Sequence, residues 1–525
     1  MSRPPVKRIR PVEAAALKAM LGDGRELALI DLREELTFSQ RHLLWARCVP
    51  LSRLELRFAQ LVPRRATRIV LIDDGDGLAG RAAALLAGSG YTDLAQLERG
   101  VEGWERAGFE LFSGVNVPSK AFGEHIEHVS HTPSISAEEL DTLLRAGTDM
   151  VVLDSRPFDE FRRVSIPTAT NVPGAELVLR IRDLAPRPDT MVVVNCAGRT
   201  RSIIGAQSLI NAGIPNRVVA LRNGTMGWSL AGLLPDHGQD KRKLDVSAAG
   251  LAHAKTAAAK VAARFGVARI ERVGLDAFLA DTTRTVYVFD VRNPEEYAAG
   301  HVPGALSAPG GQLVQATDQY VGTLNARIVL VDDLEVRAVM TASWLRQMGW
   351  HDVFVLAAKG EDTGAPAPEI LAQLAPPERG IGAEKLAELV AHDRVTVVDL
   401  SLSPAYRKGH IPGAWYAIRS RLQHAMTKIR VNGELVFTSE DDTLARIAAH
   451  ESRAPARYLV GGNAAWVAAG LSFSTEPRMA DEPVDAWLKP YERAGDTKSA
   501  MNEYLSWETD LLPRIARDGT ARFTV

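Results

Sequence analysis

The chain has few cysteines, little net charge and no long apolar run. Two cysteines in 525 residues argue against a disulfide framework and fit a reducing compartment where a thiol stays available. The formal net charge is −2 and no long run of one sign occurs, so no footprint for nucleic acid or a membrane surface is visible. The N-terminus lacks the apolar stretch of a signal peptide, and no window approaches the roughly 18 apolar residues of a spanning helix. We therefore predict a cytoplasmic protein that binds neither nucleic acid nor membrane.

The remaining composition is that of a globular protein with several domains. Hydrophobic residues make up 46% of the chain and charged residues 24%, which is enough apolar material for several buried cores. At roughly 100–200 residues per domain, the length predicts three to five domains.

One pattern recurs four times along the chain. Each copy opens with a short extended piece and a helix, followed by a buried strand that ends in aspartate. The four aspartates are Asp31, Asp154, Asp290 and Asp399. Their intervals of roughly 110 to 140 residues are the size of domains, so we predict tandem domains and not short solenoid repeats.

Further elements follow each aspartate in the same order. A short helical stretch and a turn come first, and a second apolar strand follows at 68–73, 191–196, 327–332 and 434–439. A helix and a third strand follow, and copies one, two and four then carry a glycine-rich turn with Trp104, Trp228 or Trp466. Alternating strands and helices predict an α/β fold in which each copy has a central, mainly parallel sheet with helices on both faces. The predicted domains are 1–115, 130–240, 265–370 and 378–478, with a C-terminal tail at 479–525.

The second strand of copy two leads into a loop that carries chemistry. The loop reads Cys196-Ala197-Gly198-Arg199-Thr200-Arg201, and a helix is predicted from about Ser202. The thiol then faces the unpaired amides of a helix N-terminus, with two guanidiniums close by, and both features favour the nucleophilic thiolate. Gly198 permits a curl that turns successive N–H groups inward as an anion-binding nest. We predict that Cys196 is a nucleophile and that Arg199 and Arg201 bind an anionic substrate.

Three motifs in this order identify a resemblance. They are LDSR at 153–156, CAGRTRS at 196–202 and NGTMGW at 223–228, and copies three and four add GHVPGA and GHIPGA. Together they resemble the rhodanese family, so the chain looks like four tandem rhodanese-like domains. The resemblance implies a thiosulfate sulfurtransferase type of enzyme that moves sulfane sulfur through a cysteine persulfide.

The resemblance also implies roles for individual residues. Cys196 attacks the outer sulfur of a donor such as thiosulfate, and a thiol or cyanide later accepts that sulfur. Arg199 and Arg201 orient the donor, and two arginines favour thiosulfate-like donors over mercaptopyruvate. The candidate substrate-binding residues are Ala197, Gly198, Thr200, Ser202, Asp154 and Arg156. Asp154 and Arg156 recur in other copies, which favours a structural role for them. No cofactor or metal is implied, and a protein acceptor and a homo-oligomer stay open.

The other copies lack the cysteine. Alignment on the glycine that ends the following helix places Asp73 and Asp332 at the position of Cys196, and the strand end of copy four suggests Ser439. Aspartate repels an anionic donor and serine cannot form a persulfide, so we predict that these copies are inert. Arg337 occupies the Arg201 position, which predicts weak binding of a small anion in copy three.

Alternatives remain for several residues and for the function. We predict that Cys48 is structural, and that the histidines of the linker (His125, His128 and His131) belong to a polar linker and not to a metal site. One rival function is a phosphatase, although the loop has four residues between Cys196 and Arg201 where the related phosphatases have five. The other rival is a persulfide carrier without turnover.

Overall fold

A computed structural model describes residues 9–360, 362–364 and 366–525. It contains four sheets with one common strand order. In each copy five strands pair in parallel in the order first, fifth, fourth, second and third, once two short extra strands are set aside, one in copy three (Thr323–Leu324) and one at the end of copy four (Arg478–Met479). The prediction of four α/β units, each with a parallel sheet, is confirmed.

Copies one and two contain the elements that the repeat predicts. Copy one has strands β1 (Arg10–Val12), β2 (Leu27–Asp31), β3 (Arg47–Cys48), β4 (Arg68–Ile72) and β5 (Asp93–Leu97), and helices α1 (Ala14–Gly22), α2 (Glu35–Gln40), α3 (Leu54–Leu61), α4 (Leu78–Gly88) and α5 (Gly100–Arg106). Helix α6 (Val117–Ser130) follows. Copy two has β6 (Ser134–Ile135), β7 (Met150–Asp154), β8 (Thr170–Asn171), β9 (Met191–Asn195) and β10 (Val218–Leu221), with α7 (Ala137–Arg145), α8 (Phe158–Arg163), α9 (Leu177–Leu184), α10 (Thr200–Asn211) and α11 (Gly224–Leu230).

Copies three and four repeat this order after a long connecting helix, α12 (Ala248–Phe265). Copy three has β11 (Ala268–Ile270), β12 (Val286–Asp290), β13 (Leu306–Ser307), β14 (Thr323–Leu324), β15 (Arg327–Val331) and β16 (Val353–Leu356), with α13 (Arg272–Ala280), α14 (Pro294–Ala299), α15 (Gly310–Gln315), α16 (Thr317–Tyr320) and α17 (Val336–Gln347). Copy four has β17 (Gly380–Ile381), β18 (Val395–Asp399), β19 (Trp415–Tyr416), β20 (Glu434–Thr438), β21 (Arg457–Leu459) and β22 (Arg478–Met479), with α18 (Ala383–Ala391), α19 (Ser403–Lys408), α20 (Leu422–Lys428), α21 (Thr443–Glu451) and α22 (Gly462–Ala468). The tail forms α23 (Thr497–Thr509) and α24 (Leu511–Asp518).

The central strands are apolar throughout because both of their faces are covered. Successive side chains of a strand point to opposite faces. In β9, Val192 and Val194 enter one buried core, while Met191 and Val193 enter another. Helices therefore cover both faces of the sheet, and the carboxyl end of β9 leads directly to Cys196.

The four copies share a sheet and a hydrophobic core across their boundaries and are not structurally independent. Strand β14 of copy three pairs antiparallel with β2 of copy one. Helix α12 bridges copies two and three, and Ala254, Ala258 and Val261 on it are buried in a core common to both copies. The predicted domain boundaries stay a prediction, and α6 lies almost entirely in the gap between the first two of them.

Glu34 gives the contact between copies one and four a pH dependence. Ser52 and Ser420 donate hydrogen bonds to its carboxyl group at 2.9 and 3.0 Å, and burial raises its pKa from 4.5 to about 7. Because the folded state holds this proton more tightly, stability is lost as pH rises from about 4.5 to 7. Glu34→Gln is therefore expected to stabilise the protein by about 3 kcal/mol at about pH 8 and by little at about pH 4.

Urea midpoints at the two pH values measure this effect, and Glu13→Gln on the exposed surface serves as the control. An equal gain from Glu34→Gln at both pH values would contradict the assignment.

Separately, no helix within the described ranges is both long and apolar enough to cross a bilayer.

Candidate active site

Cys196 lies between the carboxyl end of β9 and the first turn of α10. The helix begins at Thr200, two residues earlier than predicted, so Thr200 and Arg201 belong to its first turn and not to the loop. Helix α11 holds the loop from behind, because the N–H groups of Thr225 and Met226 donate to the carbonyls of Cys196 and Ala197 at 2.9 and 3.0 Å. The carbonyls of Cys196 and Ala197 thus point towards α11.

The amides on the inner side of the loop are available to an anion. Within the part of the chain that the structure describes, no atom accepts a hydrogen bond from the N–H groups of residues 197–202. This is the arrangement expected of a backbone nest at a helix N-terminus. It includes four of the predicted substrate-binding residues: Ala197, Gly198, Thr200 and Ser202.

The equivalent loops of copies one and three show what such amides bind. In copy one the Asp73 carboxylate accepts a hydrogen bond from the N–H of Ala79 at 3.0 Å. In copy three the Asp332 carboxylate accepts one from the N–H of Ala338 at 3.2 Å. The corresponding N–H in copy two is that of Ser202, six residues after the cysteine as in the other copies. An internal carboxylate therefore fills the nest in copies one and three, whereas copy two presents a thiol.

In copy four and at Arg337 of copy three, groups of the protein itself also occupy the corresponding positions. In copy four the Ser439 hydroxyl accepts a hydrogen bond from Ala445 N–H at 3.2 Å. Arg337 of copy three binds Asp332 and Glu176 at 2.9 and 3.0 Å. The predicted weak anion site in copy three is therefore wrong, because its own aspartate occupies the nest and carboxylates surround its arginine.

The Cys196 thiol is enclosed but lies among polar groups. It is 2% exposed, and its Sγ lies 3.5 Å from the Ser202 hydroxyl. That hydroxyl donates to the Arg199 carbonyl at 2.7 Å, which fixes the first turn of α10. A cavity of about 30 Å³ lies beside Thr200 and Arg201, but Cys196 is not among the residues that line it. A donor therefore requires local opening to reach the sulfur.

Arg201 is the cation associated with the thiol. Although burial opposes its charge, the Glu160 carboxylate and then the Cys196 sulfur raise the pKa of Arg201. The guanidinium binds Glu160 at 2.9 Å and Gln312, from copy three, at 3.1 Å. Burial also opposes ionisation of Glu160, but Arg201 and Lys489 hold its pKa below the ordinary range. Arg201, which is predicted to bind the donor, is therefore part of an ion pair.

Arg199 points into a different ion pair. Its guanidinium binds Glu124 of α6 twice, both at 2.7 Å, and also Glu127. The side chain is buried, 9% exposed, so it ties the loop to α6. Two carboxylates from the predicted linker therefore pair with the guanidinium of Arg199, and its binding of the donor stays a prediction.

Asp154 and Arg156 hold the end of β7 in place. They are 0% and 1% exposed and form a bidentate pair at 2.7 and 2.9 Å. Arg156 also donates to the Val164 carbonyl, and Asn195, which precedes the cysteine, donates to Asp154 at 2.9 Å. Their inclusion among the substrate-binding candidates is therefore corrected to a structural role, since neither side chain has a free face.

Several residues of the site have no local signal in the sequence. Lys120 and Glu124 come from α6, Gln312 comes from α15 of copy three, and Glu508 comes from α23 of the tail. Each is an ordinary polar residue in an amphipathic segment. The linker histidines lie on the same helix or at its end, and His125 packs against Phe523 with ring centroids 5.6 Å apart.

Gly224 tests how tightly the loop is held. It has φ +54°, and a Cβ there would lie 2.2 Å from the Cys196 carbonyl oxygen. Gly224→Ala is expected to displace the loop and, because folded Cys196 is enclosed, to speed its alkylation by roughly tenfold or more. Gly232→Ala is the matched control. Gly232 also has a positive φ, of +76°, but no atom lies within 4 Å of the added carbon. Equal alkylation rates in the two variants would contradict the steric argument.

The comparisons with known proteins agree with this architecture. The sequence profile of the rhodanese-like domain family matches residues 13–107, 136–231 and 275–358. A curated thiosulfate sulfurtransferase of Pseudomonas aeruginosa is 29% identical, with 36% of this chain and 83% of that protein covered. The crystal structure of a thiosulfate sulfurtransferase from Pseudomonas aeruginosa superposes with a TM-score of 0.94 at 47% identity, covering 98% of this chain and all of that one. These relatives support a sulfurtransferase activity in general terms, and the chain belongs to the rhodanese-like domain family.

Proposed function

We propose that the protein transfers sulfane sulfur from thiosulfate or a similar anionic donor to a thiol or cyanide through a persulfide on Cys196. The observation that carries the proposal is the loop of copy two, where a thiol replaces the carboxylate that fills the same amide nest in copies one and three. The nest binds an internal anion in those copies, so it suits the thiolate and the persulfide anion here.

The reaction has two displacement steps. The Cys196 thiolate attacks the outer sulfur of thiosulfate, a new S–S bond forms to Sγ, and sulfite leaves with the electrons of the broken S–S bond. The acceptor then attacks the outer sulfur of the persulfide and releases the Cys196 thiolate. The amides of residues 197–202 stabilise the persulfide, and Arg201 orients the donor. Arg199 positions the loop through α6.

The two arginines favour an anionic donor such as thiosulfate less strongly than their positive charges alone would suggest. Each guanidinium is paired with glutamate, so the preference for thiosulfate depends on the amide nest and on the likeness to thiosulfate sulfurtransferases. The three copies with Asp73, Asp332 and Ser439 are proposed to be inert and to build the surroundings of copy two.

Mass spectrometry after incubation with thiosulfate, mercaptopyruvate or glutathione persulfide tests the proposal. We expect a gain of one sulfur atom on Cys196, followed by thiocyanate formation when cyanide is added. A stable adduct without turnover would favour the persulfide carrier. The absence of an adduct with every donor would overturn both sulfur functions.

A further inference from the structure

The C-terminal tail brings a carboxylate against the catalytic loop. Glu508 of α23 is 0% exposed, and its Oε2 lies 3.2 Å from the point where a Cβ on Gly198 would stand. Tyr504, one turn earlier on α23, lies 3.6 Å from the same point. A segment about 310 residues further along the chain therefore packs directly on the loop that carries the thiol.

The two oxygens of Glu508 are in different situations. Oε1 accepts from Lys120 at 2.8 Å and from the Tyr504 hydroxyl at 3.1 Å, and the Thr200 hydroxyl lies 3.5 Å from it. Oε2 is buried and has no hydrogen-bond partner among the residues that the structure describes. Although burial opposes the charge of Lys120, Glu508 and then Tyr504 raise the pKa of Lys120. Leaving a buried carboxylate oxygen unpaired is costly, so this arrangement needs an explanation beyond packing.

Charge balance supplies that explanation. The ion pairs around the loop contain four cations and four carboxylates. The cations are Arg199, Arg201, Lys120 and Lys489, and the carboxylates are Glu124, Glu127, Glu160 and Glu508. The loop is therefore close to neutral, although its sequence looks cationic. Loss of one buried carboxylate would leave one positive charge uncompensated where charges are weakly screened.

We propose that Glu508 is a specificity-determining residue, whose buried negative charge lowers the preference of the Cys196 site for anionic reagents over uncharged ones. The inference rests on the proposed role of Cys196 as the nucleophile. Glu508 acts through the electrostatic field at the loop and not by contact with the sulfur. In sulfur transfer, it would let uncharged or singly charged donors compete with doubly charged thiosulfate.

Two alkylating reagents test this without any sulfur donor. Iodoacetate carries a negative charge and iodoacetamide does not, so the ratio of their rates at Cys196 reports the local field, while a change in access alters both rates alike. Glu508→Gln is expected to raise the iodoacetate-to-iodoacetamide ratio roughly three- to tenfold. Glu508→Asp keeps the charge and should keep the wild-type ratio. Glu503→Gln, on the exposed side of the same helix, should also leave the ratio unchanged.

A double variant separates charge from packing. E508Q/K120M removes one charge of each sign, so the ratio should return close to wild type, whereas a packing defect would persist. An unchanged ratio in E508Q, or an equal rise in Glu503→Gln, would overturn the proposal. Should E508Q not fold, the wild-type ratio is compared with that of Cys196 in urea. If the site is close to neutral, the iodoacetate-to-iodoacetamide ratio should be similar in the folded and the urea-unfolded protein. A ratio more than roughly tenfold higher in the folded protein would overturn the proposal. None of these results depends on whether Cys196 forms a persulfide.

Discussion

Replacing Cys196 with serine is expected to abolish sulfur transfer, with a loss of roughly a thousandfold or more in turnover. A hydroxyl in the same place cannot form a persulfide and is a far weaker nucleophile than a thiolate. Copy four contains this arrangement, since Ser439 stands at the end of β20 with its hydroxyl on the amide of Ala445. Thiocyanate formation from thiosulfate and cyanide measures the loss, together with the sulfur adduct by mass spectrometry.

Cys48 provides the control for this prediction. Burial raises the pKa of the Cys48 thiol well above its ordinary value, and nearby Asp31 and Glu35 add to the effect. It therefore remains a thiol, so Cys48→Ser should retain turnover and the adduct. If sulfur transfer survives in Cys196→Ser and is lost in Cys48→Ser, the nucleophile is Cys48 of copy one and the assignment to copy two is wrong.

Removing Arg156 is expected to cause the largest loss of stability in copy two. Arg156→Met leaves the buried Asp154 carboxylate without its cation, and breaking one side of a buried pair costs about 3–5 kcal/mol. Because Asn195 also binds Asp154, the disturbance reaches the residue before Cys196. Hydrogen exchange of the β7 and β9 peptides should increase, and the urea midpoint for loss of Cys196 protection from alkylation should fall.

Copy three offers a matched variant for this experiment. Arg292 binds Asp290 at 2.6 Å with both side chains buried, so Arg292→Met should weaken copy three by a similar amount. It should leave slow alkylation of folded Cys196 largely intact, because β7 keeps its own pair. An effect of Arg156→Met no larger than that of an exposed arginine, such as Arg145, would refute the structural role.

Comparison of the four copies shows what distinguishes the loop that holds the proposed nucleophile. The strand, loop and helix are the same in each copy, and the amides at the start of the helix need an acceptor in every case. Asp73 and Asp332 supply a carboxylate for those amides, so no external anion is required. Cys196 supplies a sulfur atom in place of that carboxylate, and the nest receives a negatively charged sulfur when the thiolate or the persulfide forms.

The features that could be predicted from the sequence have short-range causes. Buried strands ending at Asp154 and at Asn195 come from runs of β-branched residues, and the position of Cys196 before a helix comes from the change to helical periodicity. The start of α10 was misplaced because Thr200 and Arg201 carry no distinct helix-start signal. The structural role of Asp154 and Arg156 was visible in their recurrence, since copies one and three, which are predicted to be inert, keep the same pair.

The partners of the charges could not be predicted in this way. Arg199 finds Glu124 on a segment expected to be a linker, and Arg201 finds Gln312 in another copy. An amphipathic helix such as α6 or α23 does not indicate which neighbour its polar groups will meet.

The amino-acid sequence by itself determined the four α/β units and the placement of one thiol at the carboxyl end of a parallel strand, because both follow from local patterns of side chains. Only the tertiary structure decided the charge around that thiol, because Lys120, Glu124 and Glu508 reach the loop from segments distant in the chain. Long-range packing brings them together, and electrostatic energy depends on the distance and burial that packing creates.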